Sequence, residues 1–220
     1  MSERNDEFER HVELRLLGGF ELSIGGRVID LQPGMQRLAA FVALAPRGVD
    51  RMFAAFQLWP NSTERRAQAN LRSALWRIRQ LDAEVLHATT SRLRLEDSVW
   101  VDTRDGLHGT GTDDQPRPYH LLEPDLLPDW YDDWLIVERE RHRQLELQQL
   151  ECRARTALDT GDASGAVQWS LAALSVDGRR ESAHRILIDA HRAEGNLHEV
   201  DRETARYHRC LDEVQPSIAS

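Results

Sequence analysis

The first hundred residues open with apolar and polar side chains in alternation. Such alternation is typical of half-buried strands, and Gly25-Gly26 is a signal for a two-residue hairpin turn. The alternating stretches predict three short antiparallel strands: 11–17, 20–24 and 28–31. The domain is therefore expected to begin with a small sheet.

Apolar residues then recur at three- and four-residue spacing, which predicts helices over 35–45, 50–59 and 64–81. Asn61 followed by Glu64 matches a capping box, so a definite start is expected for the third helix. Alternation of apolar and polar residues then returns in strand candidates at Val85, 92–95 and 99–101. Residues 89–91 are expected to form the tip of a hairpin between the first two. Strands, three helices and a hairpin predict an α+β winged helix-turn-helix.

From Trp130 onward the spacing is helical to the end of the periodic region. Gly161 and Gly195 each end one amphipathic helix and precede the next, 34 residues apart. That interval equals the tetratricopeptide period, in which helix pairs stack. The pattern predicts an all-α tetratricopeptide-like domain, with a generic four-helix bundle as the alternative.

The helix predicted over 64–81 has two distinct faces. One carries an apolar stripe that suits a core: Ala67, Leu71, Ala74, Leu75, Ile78 and Leu81. The other carries Arg65, Arg72 and Arg79 at seven-residue intervals, with Ser73 and Trp76 beside them. An apolar back and a cationic front suit the major groove of DNA, whereas a merely solvated surface is the alternative.

Charge makes that cationic front unusual for this chain. The formal net charge is -9, and every basic residue is Arg. Residues 1–100 hold 14 Arg against 13 acids, and residues 101–220 hold 14 Arg against 24 acids. Within 64–80, however, there are five Arg and one acid. The acidic balance of the whole chain argues against indiscriminate coating of nucleic acid but does not exclude a local basic footprint.

The predicted DNA-binding residues come from the helix front and the hairpin. Arg65 and Arg72 are expected at guanine edges or nearby phosphates, because a guanidinium donates two parallel hydrogen bonds. Ser73 and Arg79 are expected at the DNA backbone, and Trp76 at sugar or methyl surface or in a cleft against the second domain. The wing adds phosphate contacts from Thr90, Arg92 and Arg94, and an ordinary surface hairpin is the alternative.

Other chemistry finds little support in the sequence. Asp132 and Asp133 diverge on a helix and are interpreted as its acidic start. Cys152 and Cys210 lack a CxxC neighbour, His184 and His191 lack further ligands at metal spacing, and no GxSxG, HExxH, GxGxxG or GxxxxGK[ST] motif occurs. We expect no enzyme, no cofactor and no metal. Neither a signal peptide nor a membrane span is predicted, so a cytoplasmic location is expected.

Five segments together resemble one protein family, the Streptomyces antibiotic regulatory proteins in their short, two-domain form. The segments are LLGGFEL (16–22), LWP (58–60), ANLRSALWRIRQL (69–81), LLPDWYDDWLIVERERHRQLELQQLE (126–151) and RRESAHRILIDAHRAEGN (179–196). The resemblance implies an OmpR-type winged helix followed by a bacterial transcriptional activation domain. It places the recognition helix at 64–81.

Function and partners follow from that resemblance as expectations. Members bind direct repeats in double-stranded DNA near promoters, contact RNA polymerase holoenzyme and activate antibiotic gene clusters, and a homodimer is expected at least on DNA. The expected division is 11–107 for the winged helix, 108–118 for a linker and 119–215 for the activation domain. The alternatives are a protein-interaction adaptor and a ligand-sensing regulator, either of which would have lost strong DNA binding.

Overall fold

The computed structural model describes residues 11–105 and 125–214. Within these, the chain forms two compact units: unit 1 contains 11–105 and 125–139, and unit 2 contains 140–214. The predicted linker at 108–118 lies outside the described residues, so the predicted domain boundaries stay a prediction.

Unit 1 combines two small sheets with short helices. Its strands are β1 (Val12–Arg15), β2 (Glu21–Ile24), β3 (Arg27–Val28), β4 (Val49–Asp50), β5 (Leu86–Ala88), β6 (Arg92–Leu95) and β7 (Val99–Val101). Its helices are α1 (Pro33–Ala43), α2 (Arg51–Leu58), α3 (Glu64–Ile78), α4 (Asp102–Asp105) and the start of α5 (Asp133–Asp159). This order confirms the predicted mixture of strands, three helices and a hairpin.

The first sheet has the strand order β3-β2-β1-β7. The predicted hairpin is confirmed, because Ile24 pairs with Arg27 across Gly25 and Gly26. β7 lies parallel to β1, with Leu14 opposite Val101, although the sequence indicated only antiparallel neighbours. Asp102 reinforces this joint, since its carboxylate accepts hydrogen bonds from the backbone N–H groups of Leu16 and Leu17 at 2.8–3.0 Å.

Residues 125–139 pack within unit 1, although the sequence predicted that they belong to the second domain. The backbone N–H of Leu127 donates to the carbonyl of Leu16 at 2.9 Å, and the Trp130 ring stacks on Phe20 at 5.9 Å. The guanidinium of Arg139 donates to the carbonyl oxygens of Leu126, Leu127 and Trp130. Backbone hydrogen bonds to the residues that follow β1 therefore fix the start of this segment, for which the sequence predicted helical spacing only from Trp130 onward.

Unit 2 consists of the later part of α5 together with α6 (Ala163–Val176), α7 (Glu181–Ala193) and α8 (Leu197–Val214). The predicted helix ends at Gly161 and Gly195 are confirmed, because both have positive φ, 83° and 78°. Leu147 of α5 packs with Leu174 of α6 and Leu187 of α7 in a buried cluster. Sequential helices therefore share a core.

A buried ion pair joins α5 to the start of α7. Glu151 is only 6% exposed, and its Oε1 accepts hydrogen bonds from Arg180 Nε at 2.7 Å and Ser182 Oγ at 2.5 Å. Burial alone would raise the pKa of Glu151, but the hydrogen bonds from Arg180 and Ser182 outweigh burial and lower this pKa. The pair therefore favours the ionised carboxylate in the folded state.

We expect this carboxylate to make unit 2 sensitive to acid. Because the pKa of Glu151 is lower in the folded than in the unfolded chain, its stabilising contribution is present above the unfolded pKa, about 4.3. The contribution is lost as the pH falls through the folded pKa. Urea unfolding between pH 6 and pH 3 should show a shallower loss of stability in Glu151→Gln than in the parent. Equal slopes would show that Glu151 is not responsible.

Candidate nucleic-acid interface

The predicted recognition helix is α3, and its apolar stripe is buried as expected. Five of the six predicted positions are at most 6% exposed: Ala67, Leu71, Ala74, Leu75 and Ile78. The helix ends earlier than predicted, at Ile78, so Leu81 lies beyond it and is half-buried. The predicted capping box is wrong: the N-cap is Thr63, and no side chain caps the first turn.

The opposite face of α3 is exposed and cationic. Arg65, Arg72 and Ser73 are all exposed, and within the described residues no hydrogen bond or ion pair involves their side chains. Arg66, which the seven-residue spacing missed, is equally exposed and unpaired within the same residues. The one acid of the helix, Glu64, accepts a hydrogen bond from Gln68 at 3.1 Å. This face therefore presents uncompensated positive charge.

Arg79, unlike Arg65 and Arg72, makes a hydrogen bond within unit 1. It lies at the C-cap of α3, where its Nη2 donates to the carbonyl oxygen of Ala88 in β5 at 3.3 Å. Arg77, on the flank of α3, donates to the side-chain oxygen of Gln32. The C-terminal end of the helix is thus connected to its surroundings through guanidinium groups, and the N-terminal two-thirds holds the unpaired arginines.

The predicted wing is present as the β5–β6 hairpin, in which Ala88 pairs with Leu93. Its tip lies at 89–91 as predicted, and Thr90 is exposed there without a side-chain partner among the described residues. Arg94 is exposed and lies 3.8 Å from Asp97. The hairpin therefore offers Thr90 at its tip and Arg94 along one strand.

Arg92 has a structural role that the sequence did not indicate. Its Nη2 donates to the carbonyl oxygens of Arg47 and Gly48 at 3.0 and 3.2 Å, and Arg51 Nη1 donates to the carbonyl of Thr89 at 2.9 Å. Gly48 has a φ of 69°, and a β-carbon there would lie 2.6 Å from the carbonyl oxygen of Leu93. Only glycine allows β4 to approach β6 so closely. The wing is thereby fixed to the helical part of unit 1.

Two further predictions concern groups away from α3. Asp132 forms an ion pair with Arg37 and precedes α5, whereas Asp133 is the first residue of α5, so only Asp133 lies at the acidic start that the sequence predicted. Within the described part of the chain, no group of three or more His, Cys, Asp or Glu could hold a metal ion. None of the helices in those residues is long and apolar enough to cross a membrane.

Comparison with known proteins supports the fold. No protein-family model and no curated relative matches the sequence. Among solved structures, the chain is similar to EmbR from Mycobacterium tuberculosis, determined in complex with a low-affinity phosphopeptide. The TM-score is 0.67 at 18% identity, over 96% of this chain and 62% of the EmbR chain. At this identity the similarity shows a shared fold, a winged helix followed by a helical domain, and this chain spans less than two thirds of EmbR.

Proposed function

We propose that this protein is a sequence-specific transcriptional activator that binds double-stranded DNA through α3 and the β5–β6 wing. The observation that supports this most directly is the unpaired, exposed set of Arg65, Arg66 and Arg72 beside a wing that is fixed in place. If carboxylates within the protein neutralised these guanidinium groups, a protein-interaction adaptor would be favoured instead. The fold shared with EmbR, a regulator of the type that the sequence resembles, favours the same class.

The roles within the interface follow from position. Arg65 and Arg72 reach guanine edges or adjacent phosphates, Ser73 reaches the DNA backbone, and Thr90 and Arg94 contact phosphates from the wing. One nitrogen atom of Arg79 donates to the carbonyl of Ala88, and one nitrogen atom of Arg92 donates to the carbonyls of Arg47 and Gly48. We therefore assign Arg79 first to holding the wing against α3 and Arg92 to holding the wing against the residues that precede β4. Remaining N–H groups of these two side chains are still available to phosphate.

Unit 2 supplies the second half of the proposal. Its helices α5 to α8, which we interpret as tetratricopeptide-like pairs, would form the homodimer on DNA and present a surface to RNA polymerase holoenzyme. The target is a set of direct repeats near the promoter of a secondary-metabolite gene cluster. These finer assignments rest on the resemblance of the sequence to the antibiotic regulatory proteins, and the DNA contacts rest on the residues of α3 and the wing.

Selection from a library of random DNA duplexes with the full chain tests this function. We expect a single enriched motif that occurs as a direct repeat, with the two copies about 10–11 base pairs or a multiple of that apart. Affinity for that duplex should fall steeply with salt, because each phosphate contact releases counterions. A library that remains random after selection, with weak and salt-insensitive binding, would favour the protein-interaction adaptor.

A further inference from the structure

One large apolar side chain lies on the cationic face of α3. Trp76 is 64% exposed, and among the described residues its ring has no stacking, cation–π or hydrogen-bond partner. The neighbouring residues Leu75 and Ile78 are buried in the core of unit 1, to which Trp76 does not contribute. Trp76 therefore does not contribute to the hydrophobic core of unit 1, although its large aromatic ring leaves a large apolar area exposed to solvent.

The position of Trp76 on the helix places it among the unpaired arginines. At 100° per residue, it lies about 20° around the helix from Arg65 and about 40° from Arg72. Arg79 lies about 60° away, on the same side as Arg72. A surface that contacts Arg65 and Arg72 and continues one further turn toward the C-terminal end of α3 therefore also meets the indole ring.

The chemistry of the major groove limits what an indole ring can recognise there. Base edges in this groove present hydrogen-bond donors and acceptors, and one apolar group, the C5-methyl of thymine. Guanidinium groups select guanine because they donate to both N7 and O6, whereas an indole ring has one donor, Nε1–H, and desolvates a guanine edge without replacing both hydrogen bonds. We infer that Trp76 is a specificity-determining residue that contacts a thymine C5-methyl group. This inference rests on the proposed DNA-binding function.

Replacement of thymine by deoxyuridine tests the inference, since it removes the methyl group and keeps base pairing. The probe is the duplex enriched by the full chain, synthesised with each thymine replaced singly. We expect one or two positions in each repeat at which the parent protein loses about fourfold in affinity, the value of one buried methyl group. Trp76→Ala should bind the thymine and deoxyuridine duplexes equally at those positions. Ser73→Ala, on the same face, should keep the parent's preference for thymine.

Three results would overturn the inference in distinguishable ways. If no deoxyuridine affects the parent while Trp76→Ala weakens binding to every duplex, the ring packs on deoxyribose and the proposed function stands. A thymine preference that persists in Trp76→Ala would assign the methyl contact to another residue. Failure of the full chain to enrich any duplex would remove the proposed function as well. An unchanged melting temperature of Trp76→Ala verifies that the variant is folded.

Discussion

Replacing Arg65 and Arg72 by alanine together should weaken binding to the selected duplex roughly 100-fold or more, because each bidentate contact to a base contributes about 1–3 kcal/mol. Neither side chain has a partner within the described residues, so their loss leaves no buried group unsatisfied. We therefore expect the free energy of unfolding to change by less than about 0.5 kcal/mol, as for ordinary surface substitutions. Mobility shift and thermal unfolding of the same preparations measure both quantities.

The single variants then separate base contacts from phosphate contacts. A residue at a base edge should relax the preference at one position, whereas a residue at a phosphate should weaken all duplexes alike and reduce the salt slope by about 1. Arg27 in β3 is a matched control, since it is an exposed arginine of unit 1 outside α3 and the wing. Arg27→Ala should bind as the parent does. Unchanged affinity in Arg72→Ala would remove Arg72 from the interface.

The largest loss of stability is expected from His184, which is completely buried between α7 and α8. Its Nδ1 lies 2.5 Å from Oε1 of Glu203, and its Nε2 lies 3.1 Å from the carbonyl oxygen of Gly178. Because a carbonyl oxygen can only accept, Nε2 carries a hydrogen and donates it. His184→Leu should cost unit 2 about 3–5 kcal/mol, since it leaves the Glu203 carboxylate buried without this partner.

Urea unfolding followed by hydrogen exchange in α7 and α8 measures that loss locally. A second variant, His184→Leu with Glu203→Leu, should recover part of the stability, because replacing both partners by apolar groups removes the unsatisfied carboxylate. Arg185→Ala is the matched control: Arg185 contacts Glu181 and Tyr207 at the surface, and its loss should cost less than about 1 kcal/mol. Parent-like stability of His184→Leu would show that the pair does not hold the two helices together.

The sequence predicted those parts of the fold that depend on periodicity. The apolar stripe of α3 and the hairpin at Gly25-Gly26 are local patterns, and both are confirmed. The roles of Arg79 and Arg92 could not be predicted in this way, because their acceptors are backbone carbonyls of Ala88, Arg47 and Gly48. A backbone carbonyl carries no signal in the sequence, so only the tertiary structure reveals such contacts.

Non-local pairing explains the other differences. β7 lies beside β1 although 83 residues separate Arg15 from Val99, and periodicity contains no information about such partners. In the sequence, His184 and His191 lie seven residues apart and could share one helix face. The structure instead pairs His184 with Glu203 on the next helix. The capping-box prediction was wrong because Asn61 lies in a turn, in which the backbone N–H of Ser62 donates to the carbonyl of Trp59, and the N-cap follows at Thr63.

Dimethyl sulfate protection tests whether α3 enters the major groove with its arginines at guanine edges. This reagent methylates guanine N7 in the major groove and adenine N3 in the minor groove. We expect the full chain to protect specific guanine N7 atoms in each repeat of the selected duplex, and Arg65→Ala/Arg72→Ala to restore their reactivity. Guanine N7 atoms that stay fully reactive in a saturated complex would show that the arginines of α3 do not lie at guanine edges.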